Sequence, residues 1–264
     1  MSAGRTEGTM LLVMDVGNTN TVLGVYDGAT LVAHWRLTTV RDRTVDEYGI
    51  LARNLLSLAH LEAGAIASII IASVVPPLDG VLEAMARHYF GVKPLFVEPG
   101  VKTGMPILYD NPQEVGADRI VNGVAAYERF RQAVIVVDFG TATTFDAISA
   151  KGEYLGGAIA PGLNVSAEAL FARAARLPRV DVRKPPRVIG RNTTHSLQSG
   201  LFHGYLALVS GILLRMRAEM GEPVKTIGTG GLSAALKDEL AGLLDDVDPN
   251  LTLEGLRLLH ERNR

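Results

Sequence analysis

No cysteine occurs among the 264 residues of the chain. Disulfides, thiolate metal sites, a cysteine nucleophile and redox chemistry on protein sulfur are therefore excluded, and a reducing cytoplasm is compatible with the composition. Histidine is scarce, at six, and none sits in a His-Glu-x-x-His spacing, so each is expected to be a surface or packing residue. There is no Gly-x-x-x-x-Gly-Lys-[Ser/Thr] loop, which argues against a P-loop kinase. An excess of one charge is also lacking: 26 basic and 28 acidic residues nearly balance, and no block of like charge offers a general attraction to nucleic acid or anionic lipid. The first apolar run, Met10–Met14, stops at Asp15, too soon for a signal-peptide core or a membrane span. These absences predict a soluble, cytoplasmic protein that acts on small molecules, with residues 1–9 as a frayed leader.

What is present is enough for a large core. Hydrophobic residues make up 47% of the chain, mean hydropathy is +0.19, and 28 glycines predict many tight turns. Two of those turns stand out. Leu11-Leu12-Val13-Met14 runs into Asp15-Val16-Gly17-Asn18-Thr19, and Val134-Ile135-Val136-Val137 runs into Asp138-Phe139-Gly140-Thr141-Ala142-Thr143-Thr144. The two aspartates lie 123 residues apart, close to half the chain, which points to a duplicated unit. An acid and a glycine after a strand are also ordinary turn chemistry. The second copy, after the same kind of apolar run, favours function.

The chemistry of such a turn is restrictive. Gly17 and Gly140 have no Cβ, so backbone N–H groups can approach a phosphate closely, while Asn and Thr side chains add neutral donors. Ionised Asp15 and Asp138 only accept hydrogen bonds or bind cations, and beside a phosphate they call for a metal between. The combination points to ATP with bound cations.

Each half reads as three strands followed by alternating helix and strand. In the first half, strands are expected at Met10–Met14, Thr21–Tyr26 and Thr30–Thr38, with a hairpin turn at Asp27-Gly28. A helix over Val45–Leu61, a strand over Ser68–Val75, a helix over Leu78–Phe90, a short strand at Pro94–Val97 and a helix over Ala117–Phe130 follow. The second half repeats this from Ala133, and a terminal helix is expected at Leu251–Glu261. No linker rich in Pro or Ser separates the halves, so residues 1–130 and 131–264, the latter with the terminal helix, are expected as two domains packed around a cleft. Trp35 is expected in the core, and the basic stretch from Arg173 through Arg176, Arg179, Arg183, Lys184 and Arg187 to Arg191 as a solvated surface.

This order of motifs resembles the actin, sugar-kinase and chaperone ATPase superfamily. In detail it is similar to the type III pantothenate kinases, through the two Asp-x-Gly turns, Gly116-Ala117-Asp118-Arg119, Gly156-Gly157-Ala158-Ile159-Ala160-Pro161-Gly162 and Thr229-Gly230-Gly231. The resemblance implies an α/β fold of two duplicated actin-like (ribonuclease H-like) domains, each a mixed five-stranded sheet with flanking helices. It implies ATP-dependent phosphorylation of the primary hydroxyl of pantothenate, the first step to coenzyme A, by a homodimer.

By the same resemblance, Asp15 helps to hold Mg²⁺, and the run Asp15, Val16, Gly17, Asn18, Thr19, Asn20, Thr21, Val22, with Thr141, binds ATP. Asp138 binds a monovalent cation, K⁺ or NH₄⁺. Asp118 is the general base, and Tyr109, Gly116, Ala117, Asp118, Arg119 and Thr193 line the pantothenate site. Chemistry gives Asp118 softer support: a carboxylate within reach of an acceptor hydroxyl can take its proton, although an acid there also suits a helix N-terminus. Arg119 can pair with a carboxylate or a phosphate, and chemistry does not say which. Two other functions fit most motifs: a non-catalytic accessory regulator of the same family, and a kinase of another small hydroxylated acceptor. The full set of Asp15, Asp118 and Asp138 speaks against lost catalysis.

Overall fold

The computed structural model describes residues 9–174 and 177–264. Residues 1–8 of the expected leader and Arg176 of the basic stretch lie outside them. Two compact units form. Unit 1 takes the chain up to Gly104, Asn111–Ala125 and Thr252–Arg264, and unit 2 takes Met105–Asp110 and Ala126–Leu251.

Unit 1 is built on a five-stranded sheet. Its strands are β1 (Met10–Val16), β2 (Asn20–Asp27), β3 (Thr30–Thr38), β4 (Ile66–Ser73) and β5 (Leu95–Phe96), in the order β3-β2-β1-β4-β5. β1 to β3 form an antiparallel meander, and β4 and β5 join in parallel. Apolar side chains in β1 serve both faces, which is why Leu11–Met14 are all buried. β3 lies at the edge and alternates exposed with half-buried residues, and Trp35 is half-buried there against the core.

On one face α1 (Val45–Leu58) and α2 (Pro76–Met85) cover the sheet. Tyr48, Ala52 and Leu56 recur at helical spacing and meet Leu78, Leu82 and Met85 over Leu12, Met14 and Ile69. α1 starts at a capping box: Glu47 N–H donates to Thr44 Oγ1 (3.3 Å), and Thr44 N–H donates to Glu47 Oε2 (2.7 Å). α1 stops at Leu58, short of the expected Leu61, where Ala59 caps it. The expected helix to Phe90 ends in a π-type turn over Ala86–Phe90.

The opposite face holds the terminal helix, α7 (Leu251–Arg262). Gly24 makes room for it, since a Cβ there would lie 3.0 Å from Leu253 Cδ1 and 3.0 Å from Val13 Cγ2. Thr252 Oγ1 donates to Asn122 Oδ1 (2.7 Å), and the Arg257 guanidinium lies 5.9 Å from the Tyr26 ring centroid. Leu253, Leu256 and Leu259 are at most 1% exposed, and burying a leucine this fully contributes about 1.5–3 kcal/mol. The chain position of α7, after the second sheet, suggested a place in the second domain. Its apolar stripe instead completes unit 1.

Unit 2 repeats the topology. Its strands β6 (Val134–Phe139), β7 (Ala142–Ile148), β8 (Tyr154–Pro161), β9 (Lys225–Thr229) and β10 (Asp246–Val247) run in the order β10-β9-β6-β7-β8, again with an antiparallel meander and two parallel additions. Three further helices belong to it: α4 (Leu163–Arg173), α5 (Thr193–Met220) and α6 (Ser233–Leu236). The buried face of α5, through Phe202, Tyr205, Val209 and Leu213, packs against Ile135, Val137 and Phe139. The described residues of the basic stretch are mostly exposed, and Lys184 Nζ pairs with Glu239 at 2.6 Å.

Candidate active site

The duplication places two acids alike: Asp15 is the penultimate residue of β1, and Asp138 the penultimate residue of β6. Each is half-buried, and each is followed two residues later by a glycine that opens a turn. In the first turn Gly17 N–H donates to the Asn20 carbonyl (2.9 Å), leaving Asn18 and Thr19 exposed. The second is one residue shorter, with Gly140 N–H donating to the Ala142 carbonyl (3.1 Å) and Thr141 exposed. Of the remaining residues in the first run, Val16 and Thr21 are buried and Asn20 and Val22 half-buried.

In unit 1 a third loop joins the first turn. Gly116 precedes α3 (Ala117–Phe130), and its carbonyl accepts the N–H groups of Arg119 (3.1 Å) and Ile120 (3.2 Å). A side chain at Gly116 would fall 2.5 Å from Asp118 Oδ1, so only glycine leaves that carboxylate its place. The same Cβ position lies 3.8 Å from Val74, whose N–H donates to the Val16 carbonyl (3.0 Å). The Val74 side chain thus lies beside Gly116 while its backbone is tied to the end of β1. Asp118 Oδ1 accepts the Arg119 N–H (2.9 Å). Burial raises the Asp118 pKa above the usual aspartate value, and the Arg119 N–H and guanidinium offset part of that rise. The carboxyl is held as a better base than an exposed aspartate. Arg119 is buried and Ala117 half-buried.

In unit 2 the second turn gathers two glycine-rich segments. A Cβ on Gly162 would lie 2.5 Å from the carbonyl oxygens of Gly140 and Thr141, and Gly162 N–H donates to the Thr141 carbonyl (3.1 Å). Gly230 has φ +90°, and a Cβ there would overlap Asp138 Oδ1 and crowd Phe139 N at 2.8 Å. Thr229 pairs with Asp138 across the parallel ladder. Its buried Oγ1 has no hydrogen-bond partner among the described residues. A carboxylate beside an unengaged hydroxyl is an oxygen donor set that fits a hard cation. Behind it, Tyr205 Oη and Thr143 Oγ1 lie 2.7 Å apart, and burial together with the Asp138 charge raises the Tyr205 pKa.

Tyr109 is half-buried, stacks obliquely 6.3 Å from Tyr154, and lies by Gly156, which has φ +121° and on which a Cβ would touch the ring at 3.5 Å. Thr193 is the exposed first residue of α5. The helix cap is Asn192, which accepts the His195 N–H (2.8 Å), and Thr193 has no hydrogen bond to the other candidates among the described residues. Sequence reading passed over Thr39 and Arg41. Thr39 N–H donates to the Thr19 carbonyl (2.9 Å) and its Oγ1 to the Gly17 carbonyl (2.7 Å), while Arg41 Nη2 donates to Asn18 Oδ1 (3.0 Å). The signal was available: a hairpin closing at Asp27-Thr30 brings Thr38 opposite Asn20, so the end of β3 lands beside the turn.

Comparison with known proteins finds relatives over nearly the whole chain. The family model for type III pantothenate kinase matches residues 11–215. A type III pantothenate kinase from Myxococcus xanthus (strain DK1622) is 59% identical over 254 residues, covering 96% of this chain and 99% of the relative. One from Geobacter sulfurreducens is 58% identical over 255 residues, covering 97% and 100%. Among solved structures, a Baf family transcriptional activator from Campylobacter jejuni superposes with TM-score 0.58 at 21% identity, covering 96% of this chain and 98% of that one. An inorganic polyphosphate/ATP-glucomannokinase from Arthrobacter sp. strain KM gives 0.51 at 13% identity, covering 97% and 100%. At such identities these two show the fold, which is a pair of duplicated actin-like units. With two acid-glycine turns repeated in register and a family model spanning most of its length, the chain belongs to the type III pantothenate kinase family.

Proposed function

We infer that the chain transfers the γ-phosphoryl group of ATP to the primary hydroxyl of pantothenate, the step that opens coenzyme A synthesis. The observation that carries the chemistry is Asp118, a half-buried carboxylate with a raised pKa, fixed by the Arg119 N–H and given its place by Gly116. The Asp118 carboxylate takes the hydroxyl proton as the oxygen bonds to the γ-phosphorus. The bond from that phosphorus to the β-γ bridging oxygen breaks, and ADP leaves with the electron pair.

Asn18, Thr19 and Thr141 donate to the phosphates of ATP, with Val16, Gly17, Asn20, Thr21 and Val22 shaping the first turn. Asp15 is the residue suited to a divalent cation carried with ATP. Asp138 suits K⁺ or NH₄⁺, supported by the orphaned Thr229 hydroxyl beside it. The cations supply positive charge against the phosphates. Arg119, Tyr109, Gly116, Ala117 and Thr193 are assigned to pantothenate. The homodimer is supported by exposed Val165, Leu170 and Leu214 on α4 and α5. α5 is long and apolar enough to cross a membrane by length and composition, but its packing in unit 2 supports a core helix of a cytoplasmic enzyme.

The test is ADP release from ATP and pantothenate with Mg²⁺, in K⁺ and then in Na⁺ alone. Pantothenate-dependent turnover that requires K⁺ supports the acceptor, the donor and the monovalent cation. Folded protein without turnover favours an accessory regulator, and turnover with other alcohols alone overturns the acceptor.

A further inference from the structure

The loop between β3 and α1 belongs to no recognised motif, yet it is fastened to the first turn at three points. Two are made by Thr39, whose N–H donates to the Thr19 carbonyl and whose Oγ1 donates to the Gly17 carbonyl, and that hydroxyl also meets the one of Thr21 at 2.9 Å. The third, Arg41 Nη2 to Asn18 Oδ1 at 3.0 Å, joins two side chains 23 residues apart. The Thr39 ties already hold the loop in place, so anchoring alone does not call for this third contact.

Its chemistry is directional. A primary amide accepts at one end and donates at the other, whereas a guanidinium only donates. Arg41 therefore engages the carbonyl end of Asn18, and turning the amide over would set its NH₂ against a donor. With Oδ1 occupied, both Nδ2 hydrogens remain for an acceptor on the other side. Arg43, the next cation along the loop, is committed elsewhere, 5.3 Å from the Tyr48 ring centroid. Among the described residues Arg41 has no carboxylate partner that would draw it away from Asn18.

We propose that Arg41 is a positioning residue for the phosphate donor: it locks the Asn18 amide with its NH₂ toward the polyphosphate, and sets ATP affinity through Asn18. The inference rests on reading the Gly17–Thr19 turn as a phosphate grip. An exposed arginine making a casual surface contact would have no effect on ATP and none that depends on Asn18.

A double-mutant cycle separates these cases. The affinity for ATP with Mg²⁺ is measured by calorimetry on wild type, Arg41→Ala, Asn18→Ala and the double variant, alongside KM for pantothenate and the thermal midpoint. Arg41→Ala is expected to weaken ATP binding by about five- to tenfold, the range for loss of one charge-assisted hydrogen bond at an exposed site. KM for pantothenate and the midpoint should hold, Arg41→Lys should restore part of the affinity, and in the Asn18→Ala background Arg41→Ala should change affinity by less than about twofold. Unchanged affinity in Arg41→Ala, or a full effect that multiplies with Asn18→Ala, overturns the proposal. If Asn18→Ala itself leaves ATP binding unchanged, the phosphate grip is the reading that has failed, and the role of Arg41 falls with it.

Discussion

Replacing Asp118 by asparagine tests the assigned chemistry most directly, because the structure separates its two roles. As an acceptor, Asp118 Oδ1 takes the Arg119 N–H at 2.9 Å, and an asparagine Oδ1 of the same shape can keep that bond. As a base, the carboxylate has no substitute in an amide. Local structure should therefore persist while proton removal is lost. A positioned general base contributes about 10²- to 10⁴-fold, so kcat should fall by at least about 100-fold, equivalent to about 2.7 kcal/mol of transition-state stabilisation. Steady-state ADP release gives kcat and both KM values, and thermal unfolding checks the fold. KM for ATP should stay within about twofold, since the interaction removed belongs to the transition state. The wild-type pH profile adds a second reading. The base works ionised, and burial raises its pKa, so the acid limb of kcat/KM should lie above the ordinary aspartate value of about 3.9 and vanish in Asp118→Asn. A variant with kcat within threefold of wild type, or one whose loss is entirely in KM for ATP, would refute the assignment.

Three further outcomes follow from the packing. Gly230→Ala should lower stability by about 2–4 kcal/mol in urea titration, because φ of +90° strains any other residue and the added methyl displaces Asp138; a loss under 0.5 kcal/mol contradicts the close approach, on the scale expected for an unstrained surface change of about that size. Tyr205→Phe should cost about 1–3 kcal/mol by leaving the buried Thr143 hydroxyl without its partner, read from the same titration at constant m-value. His260 is buried with Nδ1 unpartnered among the described residues, and burial and the Arg264 charge lower its pKa, against a smaller opposing pull from Glu261. The unfolded chain then binds the proton first, so stability should fall as pH drops below about 6.5, and His260→Leu should flatten that dependence. An unchanged slope in the variant assigns the acid sensitivity elsewhere.

Much of the fold was legible because local signals agreed. The run Met10–Met14 ending at an acid, the Asp27-Gly28 hairpin and the repeat 123 residues later each point to the same duplicated unit, and both halves form the mixed five-stranded sheet that the resemblance implies. The helix over Ala117–Phe130 matches its expected bounds, since Gly116 marks the start. Less legible were features set by distant partners. β10 is a two-residue strand whose pairing depends on β9, and no periodicity can announce it. α7 carries an apolar stripe but no label for the sheet it covers, so its place in unit 1 came only with Gly24 and Tyr26 opposite it. In the site, the glycines at 17, 116 and 140 were visible as turn residues. That Gly230 is required by Asp138, or that Arg41 reaches Asn18, depends on how strands stack side by side.

The late position of α7 bears on synthesis. Every described segment of unit 2 has been translated by Leu251, whereas unit 1, although begun first, lacks its closing helix until Thr252–Arg264 emerge. The usual order in which the N-terminal part of a chain finishes first on the ribosome is inverted. Until α7 emerges, the face of the first sheet around Val13 and Gly24 has no Leu253 to cover it, so a chain stalled before Thr252 would present a completed second unit with an apolar face of the first still open, and would be a target for chaperones and proteases.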